Sequence, residues 1–253
     1  MINESRYILI AAAILTIASC GRDRPPQPAA QANPPANAPV APQVESRDMT
    51  SGAVWIDRLE RQDRLAGLRI EDVIAALGLK DGDVVADIGA GTGAFTIPFA
   101  AAVGPSGKVL AVDLWPELLA FIGEKSKAHG IDNIETVIAA PDDPRLPPDQ
   151  VDLAFFHDVF HNIPDRQTYL ELLASYLKTS GRIAIIEQEF DDPIAKRWDI
   201  PEDRITKDQV DEWMSNAGFH VDGEFDLFQG DNNPAGAGMP ERWFVVYART
   251  RTN

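Results

Sequence analysis

The chain has 253 residues, 45% of them hydrophobic and 8% aromatic, enough for one substantial core and too few for two unrelated large domains. Its single cysteine, Cys20, excludes an intramolecular disulfide and leaves the downstream sequence without a cysteine-based zinc site or catalytic thiol. The formal charge is −16; residues 1–20 are neutral and 21–47 carry one net positive charge, so the acid excess lies wholly in residues 48–253 and disfavours nucleic acid as a partner.

Residues 1–6 are short and polar, and 7–19 form an apolar run too brief for the ~20 residues that span a bilayer, which fits the core of a signal peptide. Ile17-Ala18-Ser19-Cys20 resembles a bacterial lipobox, in which the cysteine is lipidated and becomes the first mature residue. The expectation is a lipoprotein-type signal over 1–20, with Cys20 holding the chain to a membrane on the periplasmic face or at an outer membrane. Arg22 and Arg24 after the run leave a second placement open, an uncleaved anchor with its domain in the cytosol. Residues 21–47 are rich in Pro, Ala, Gln and Asn without hydrophobic periodicity, and are expected to be a disordered tether to a folded domain over 48–253.

From residue 48 onward, β-branched runs alternate with helical patterns, which predicts an α/β domain with a mostly parallel sheet and helices on both faces. A helical lead-in over 56–77 precedes strands expected at 84–88, 109–113, 134–138, 151–156, 182–187, 219–227 and 243–248. The last two lie too close for a helical crossover, so they should form a hairpin that makes one strand antiparallel.

The first strand runs into the chemistry: "VVADIGAGTGAF" is a buried strand, then Gly89, Gly91 and Gly93, then a helix over 95–101. Glycines permit a sharp turn and close approach of backbone to a ligand, and a helix start offers N–H groups. Gly89-x-Gly91-x-x-Ala94 also satisfies a dinucleotide fingerprint, so the turn alone does not choose a cofactor. Asp87, two residues before Gly89, would repel a pyrophosphate and attract an ammonium or sulfonium. Asp113 closes the second strand, where a carboxylate can take ribose hydroxyls in either cofactor class.

The pattern D-x-G-x-G-x-G with a second-strand Asp resembles the class I S-adenosylmethionine-dependent methyltransferases, and the likeness extends over most of 53–249. "VIAAPDDPRLPPDQVD" is similar to the third-strand motif of the ubiquinone/menaquinone-biosynthesis type, "LKTSGRIAIIE" to its turn into the fifth strand, and "ERWFVVYAR" to its last strand. The resemblance implies a Rossmann-like seven-stranded sheet with the last strand antiparallel, and S-adenosyl-L-methionine as cofactor. It implies Asp87 near the methionine amino group, and Gly89, Ala90, Gly91 and Gly93 along methionine and ribose. Asp113 would meet the ribose hydroxyls, Trp115 the adenine and Asp142 its exocyclic amine, with Leu114 also among the cofactor-binding residues.

"VDLAFFHDVFHNIPDR" carries the reactive groups of the fourth strand and its exit, and Pro164 and Asp165 signal a helix over 168–177. His157-Asp-x-x-His161 is superficially like a zinc-binding H-E-x-x-H, but aspartate is too short for that motif's base and no helix is expected before Pro164, so no metal site is expected. The resemblance implies His157 along the cofactor and His161 toward the methyl acceptor as general base; backbone-bonded loop histidines are the plain alternative. Glu187, with Gln188 and Glu189, forms a polar rim at the end of the fifth strand and is a second candidate base. Phe156 and Phe160 are expected in the core, with a cation–π role open. The functional expectation is methyl transfer by direct displacement to a small-molecule or protein acceptor. An exported, non-catalytic nucleoside-binding module is the alternative, opposed by the presence of Asp87, Asp113 and Asp142; a nicotinamide oxidoreductase is opposed by Asp87.

Overall fold

A computed structural model describes residues 51–189, 205–230 and 241–250; the expected signal peptide, lipobox and Pro-rich tether lie outside them. The strands are β1 (Val84–Ile88), β2 (Lys108–Asp113), β3 (Ile134–Ile138), β4 (Val151–His157), β5 (Leu177–Gln188), β6 (Phe219–Phe225) and β7 (Arg242–Arg249). They form one sheet in the order β3-β2-β1-β4-β5-β7-β6. Pairings from β3 through β5 are parallel, and β7 runs antiparallel to both β5 and β6, as expected for the last strand.

The strands in the middle of the sheet read as near-continuous apolar runs because helices cover both faces. Period-two alternation sends Val85, Val109, Leu153 and Phe155 to one core, against α3 (Ile70–Leu77) and α4 (Thr96–Ala102). Ala111 on that face packs under α5 (Pro116–Ala128). Ala86, Ile88, Ala154 and Phe156 face the opposite core with α6 (Arg166–Tyr176) and α7 (Lys207–Asn216). Phe156 and Phe160 pack edge to face there, 5.4 Å between centroids, so they serve the core. Asp165 caps α6 by accepting from the Thr168 N–H at 3.2 Å, and Thr206 with Gln209 forms a reciprocal cap on α7.

Three regions differ from expectation. The lead-in is three helices, α1 (Ala53–Leu59), α2 (Gln62–Ala66) and α3, because the chain turns at Glu60–Arg61 and again at Gly67–Arg69, where Arg69 takes a left-handed φ of 47°. Arg69 is tied down there by donating from Nη1 to the Leu227 carbonyl at 2.7 Å. The turn expected before the fifth strand is absorbed into β5 as a bulge: Val151 pairs with Leu177 and Leu153 with Arg182, so extra β5 residues are looped out of the ladder. A single 3-10 turn at Phe160–Asn162, also unexpected, follows β4.

Strand order reverses between β1 and β4. Connections from β1 move outward to β2 and β3, those from β4 move to the other side, and the carboxyl ends of β1 and β4 therefore border an open crevice.

Candidate active site

On the β1 side of the crevice the backbone sets the geometry. Gly89, Gly91 and Gly93 all have positive φ (72°, 56° and 78°), and the N–H groups of Gly89 and Ala90 donate to the Val112 carbonyl at 2.8 and 3.0 Å. A Cβ on Gly89 would stand 2.5 Å from Val159 Cγ2, so both conformation and space demand glycine there. A Cβ on Gly91 would approach Leu59 Cδ1 to 3.1 Å, which places the end of α1 over the loop.

Two buried carboxylates flank this loop. Asp113 accepts from the Gly91 N–H at 2.9 Å on one oxygen and from the Trp115 N–H at 3.0 Å on the other, joining the loop to the β2 exit. Burial raises its pKa against the pull of those N–H groups. Asp87 is 4% exposed and accepts from the Thr96 hydroxyl at 2.5 Å. Burial pushes its pKa up to about 7, the Thr96 hydrogen bond opposes that, and the charge of Asp113 adds to it. Among the described residues no cation pairs with Asp87. Ala90 is buried against Leu119 and Ile122, Leu114 is 46% exposed, and Trp115 is half-buried. Asp142 is exposed in the turn after β3, which lies beside Asp113 through the Ala139 N–H donating to the Asp113 carbonyl at 3.0 Å.

The β4 side is built from side chains. Glu187, at the end of β5 and fully buried, lies 3.0 Å from His161 Nδ1 and accepts from the His161 N–H at 3.3 Å. Burial lowers the His161 pKa, but the hydrogen bond and charge of Glu187, aided by Asp158, outweigh it, and the net shift is upward. His157 behaves oppositely: burial lowers its pKa to about 4, so its ring is neutral at pH 7. Its Nδ1 is 3.6 Å from Asp158, beyond a hydrogen bond, and its buried Nε2 has no partner among the described residues.

Sequence reasoning weighed Asp158 only as the base of a zinc motif, and passed over Arg242 and Arg64. Asp158 sits in the left-handed region at φ 51°, and its carboxylate receives a bidentate fork from Arg242, the first residue of β7, at 2.9 to 3.1 Å. Despite burial, the guanidinium holds the Asp158 carboxyl far below the usual range. Arg64, on α2, adds a third charge within electrostatic reach of Asp158, Arg242 and His157. "ERW" stood in plain view in the last strand, but only the pairing of β5 with β7, Gln188 opposite Arg242, shows that it meets the β4 exit.

A model of the methyltransferase domain matches residues 79–221, which takes in β1 through the start of β6 and every glycine and carboxylate just described. The chain belongs to the methyltransferase-domain family. A C-methyltransferase of ubiquinone/menaquinone biosynthesis from Pasteurella multocida is 30% identical over 122 residues, 47% of this chain and 46% of that protein. A demethylmenaquinone methyltransferase from Geobacillus stearothermophilus is 28% identical over 117 residues, 46% of this chain and 50% of that one. The chain thus spans about half the length of these curated relatives. The solved structure of an S-adenosylmethionine-dependent methyltransferase from Aquifex aeolicus superposes with a TM-score of 0.65 at 26% identity, covering 78% of this chain and 98% of that one. The cofactor of this family and fold is S-adenosyl-L-methionine, and the residues present fit it: a buried carboxylate short of a cation, beside a loop whose glycines leave room at the backbone.

Proposed function

We propose that this domain transfers a methyl group by direct displacement to a small-molecule or protein acceptor, with His161 as the general base and Glu187 as the group that holds it. The observation that carries the reading is the His161–Glu187 pair standing at the ends of β4 and β5, across the crevice from the Asp87 and Asp113 loop. S-adenosyl-L-methionine, when bound, would supply a sulfonium methyl group to a nucleophilic atom of the acceptor, with S-adenosylhomocysteine as the leaving thioether. The chain's own part is placement, exclusion of water and proton removal.

Asp87 takes the ammonium end of the cofactor, which restores the charge that burial makes costly in its absence. Asp113, already oriented by two backbone N–H groups, takes the ribose hydroxyls; Leu114, Trp115 and Asp142 border the adenine, and His157 lies along the cofactor. Nδ1 of His161 is committed to Glu187, so the acceptor's proton goes to Nε2. The names of the quinone-pathway relatives support a small molecule over a protein side chain as acceptor. The lipobox-like Ile17–Cys20 supports attachment of the domain to a membrane through Cys20, and mass analysis of the mature N-terminus tests that attachment.

The deciding experiment is calorimetric titration of the full chain with S-adenosylmethionine, S-adenosylhomocysteine and NAD. Micromolar binding of the first two, lost in Asp87→Ala, is expected; binding of NAD, or no binding of either methionine derivative, overturns the reading.

A further inference from the structure

Neither α1 nor α2 has a buried residue, whereas α3, next along the chain, buries Val73 and Leu77. A seven-residue helix has little stability of its own in water and owes its persistence to the surface it covers. For α1 that surface is the glycine loop and the β2 exit. Leu59 Cδ1, at one end, would stand 3.1 Å from a Cβ on Gly91; at the other end, a Cβ on Gly52 would stand 2.6 Å from Trp115 Cβ. Trp55 and Ile56, four and three positions before Leu59, share its face of the helix, and all three side chains are only half-buried. The apolar face of α1 therefore lies along the residues read above as the cofactor's and is incompletely covered by protein.

The two ends of this segment are held differently. At its C-terminal end Leu65 packs on the core, Leu68 is buried, and Arg69, left-handed after Gly67, donates to the Leu227 carbonyl at 2.7 Å. Arg64 of α2 donates to the Leu59 carbonyl at 3.1 Å and so joins α1 to α2. At its N-terminal end the hold is on α5 and near the surface: the Ser51 hydroxyl donates to Glu117 at 3.2 Å, and Lys125 Nζ donates to both oxygens of Glu60 at 3.1 and 3.2 Å. Glu60 and Lys125 are each about a quarter exposed, and an ion pair open to water holds weakly. Segments that move to admit a ligand are drawn from such low-stability parts of a fold.

We infer that α1 and α2 form a strap that swings about Gly67–Arg69 to admit the S-adenosyl cofactor and then closes on it, with the Trp55, Ile56 and Leu59 face as its cover and the Glu60–Lys125 pair as its latch. The identity of the occupant rests on the methyl-transfer reading above.

The test is limited trypsin digestion of the full chain, with the cleavage sites read by mass spectrometry and a small peptide substrate reporting that the protease itself is unaffected. Cleavage follows the population of the opened segment when reclosing is fast. Without ligand, cleavage after Arg58 and Arg61 should be at least about tenfold faster than after Arg182 in the middle of the sheet, and saturating S-adenosylhomocysteine should slow it by at least about tenfold. Glu60→Gln should speed the ligand-free cleavage about threefold to fivefold at an unchanged denaturant midpoint, and exchanging the pair, Glu60→Lys with Lys125→Glu, should bring it back. Cleavage after Arg58 and Arg61 no faster than after Arg182 overturns the inference. A rate that S-adenosylhomocysteine leaves unchanged while calorimetry shows it bound overturns it too, and leaves the methyl-transfer reading standing. An exchanged pair that is cut as fast as Glu60→Gln overturns the latch. Failure of the wild-type protein to bind S-adenosylhomocysteine is a different failure, that of the methyl-transfer reading itself, and removes the inference with it.

Discussion

The two sides of the crevice solve the problem of buried polarity in different ways. On the β1 side, carboxylates are met by backbone N–H groups and a hydroxyl, with Gly91 and Trp115 serving Asp113 and Thr96 serving Asp87, and among the described residues no cation pairs with Asp87. On the β4 side, charge is met by charge: Arg242 with Asp158, and His161 with Glu187. Backbone donors are fixed by the chain's path and survive changes of side chain, which suits a ligand that does not vary. Side-chain pairs can be exchanged one residue at a time, which suits a pocket adapted to a particular acceptor.

The largest test of this contrast is Asp158→Ala. It leaves the Arg242 guanidinium buried without its carboxylate, and stability should fall by about 3–5 kcal/mol, read from denaturant midpoints. Because the folded-state pKa of Asp158 is depressed, its contribution in wild type is present above the ordinary carboxylate pKa and is lost only as pH falls through the lower folded value. A loss below ~1 kcal/mol, the range of an exposed pair, would show that solvent reaches this side freely.

Next in size is Asp87→Asn. Removing a charged hydrogen-bonding partner should weaken S-adenosylmethionine binding by about 1.5–3 kcal/mol, with little effect on the β4 side. In wild type the carboxylate must ionise to receive a cation, so affinity should rise with pH up to about 7, with proton uptake by buffer on binding that is absent in the variant. In the cofactor-free domain the sign is the reverse: the raised pKa gives stability that is full below the ordinary carboxylate pKa and is lost as pH rises through about 7.

The smallest effect is expected from Glu187→Gln, which keeps shape and removes the charge behind His161. Turnover by a histidine base requires the neutral ring, so the rate should rise with pH through a wild-type limb above the ordinary histidine value. That limb should move to lower pH in the variant, with a lower plateau. An unmoved limb would assign the titration to another group.

The same contrast explains what could be read before the structure. Asp87, the three glycines and Asp113 were legible because one strand, one turn and the next strand carry them in short spacing. The antiparallel β7 was legible through the likeness of the last strand to that of the resembled family, since the 16 residues between β6 and β7 are enough for a crossover. The fork between Asp158 and Arg242 was not, since 84 positions separate its members and only the pairing of β7 with β5 brings them together. Arg64 was hidden differently: the lead-in read as one helical stretch, whereas it breaks at Glu60–Arg61 and again at Gly67–Arg69. The loss of a turn within "LKTSGR" to the β5 bulge reflects long-range strand pairing that no local signal encodes.

Val159 presses against the α-carbon of Gly89 from midway between His157 and His161. A larger side chain at position 159 would therefore have to displace either the glycine loop or the segment that presents both histidines. Two stretches 70 positions apart in sequence thus share one packing constraint, and a change of volume at position 159 should be felt at both.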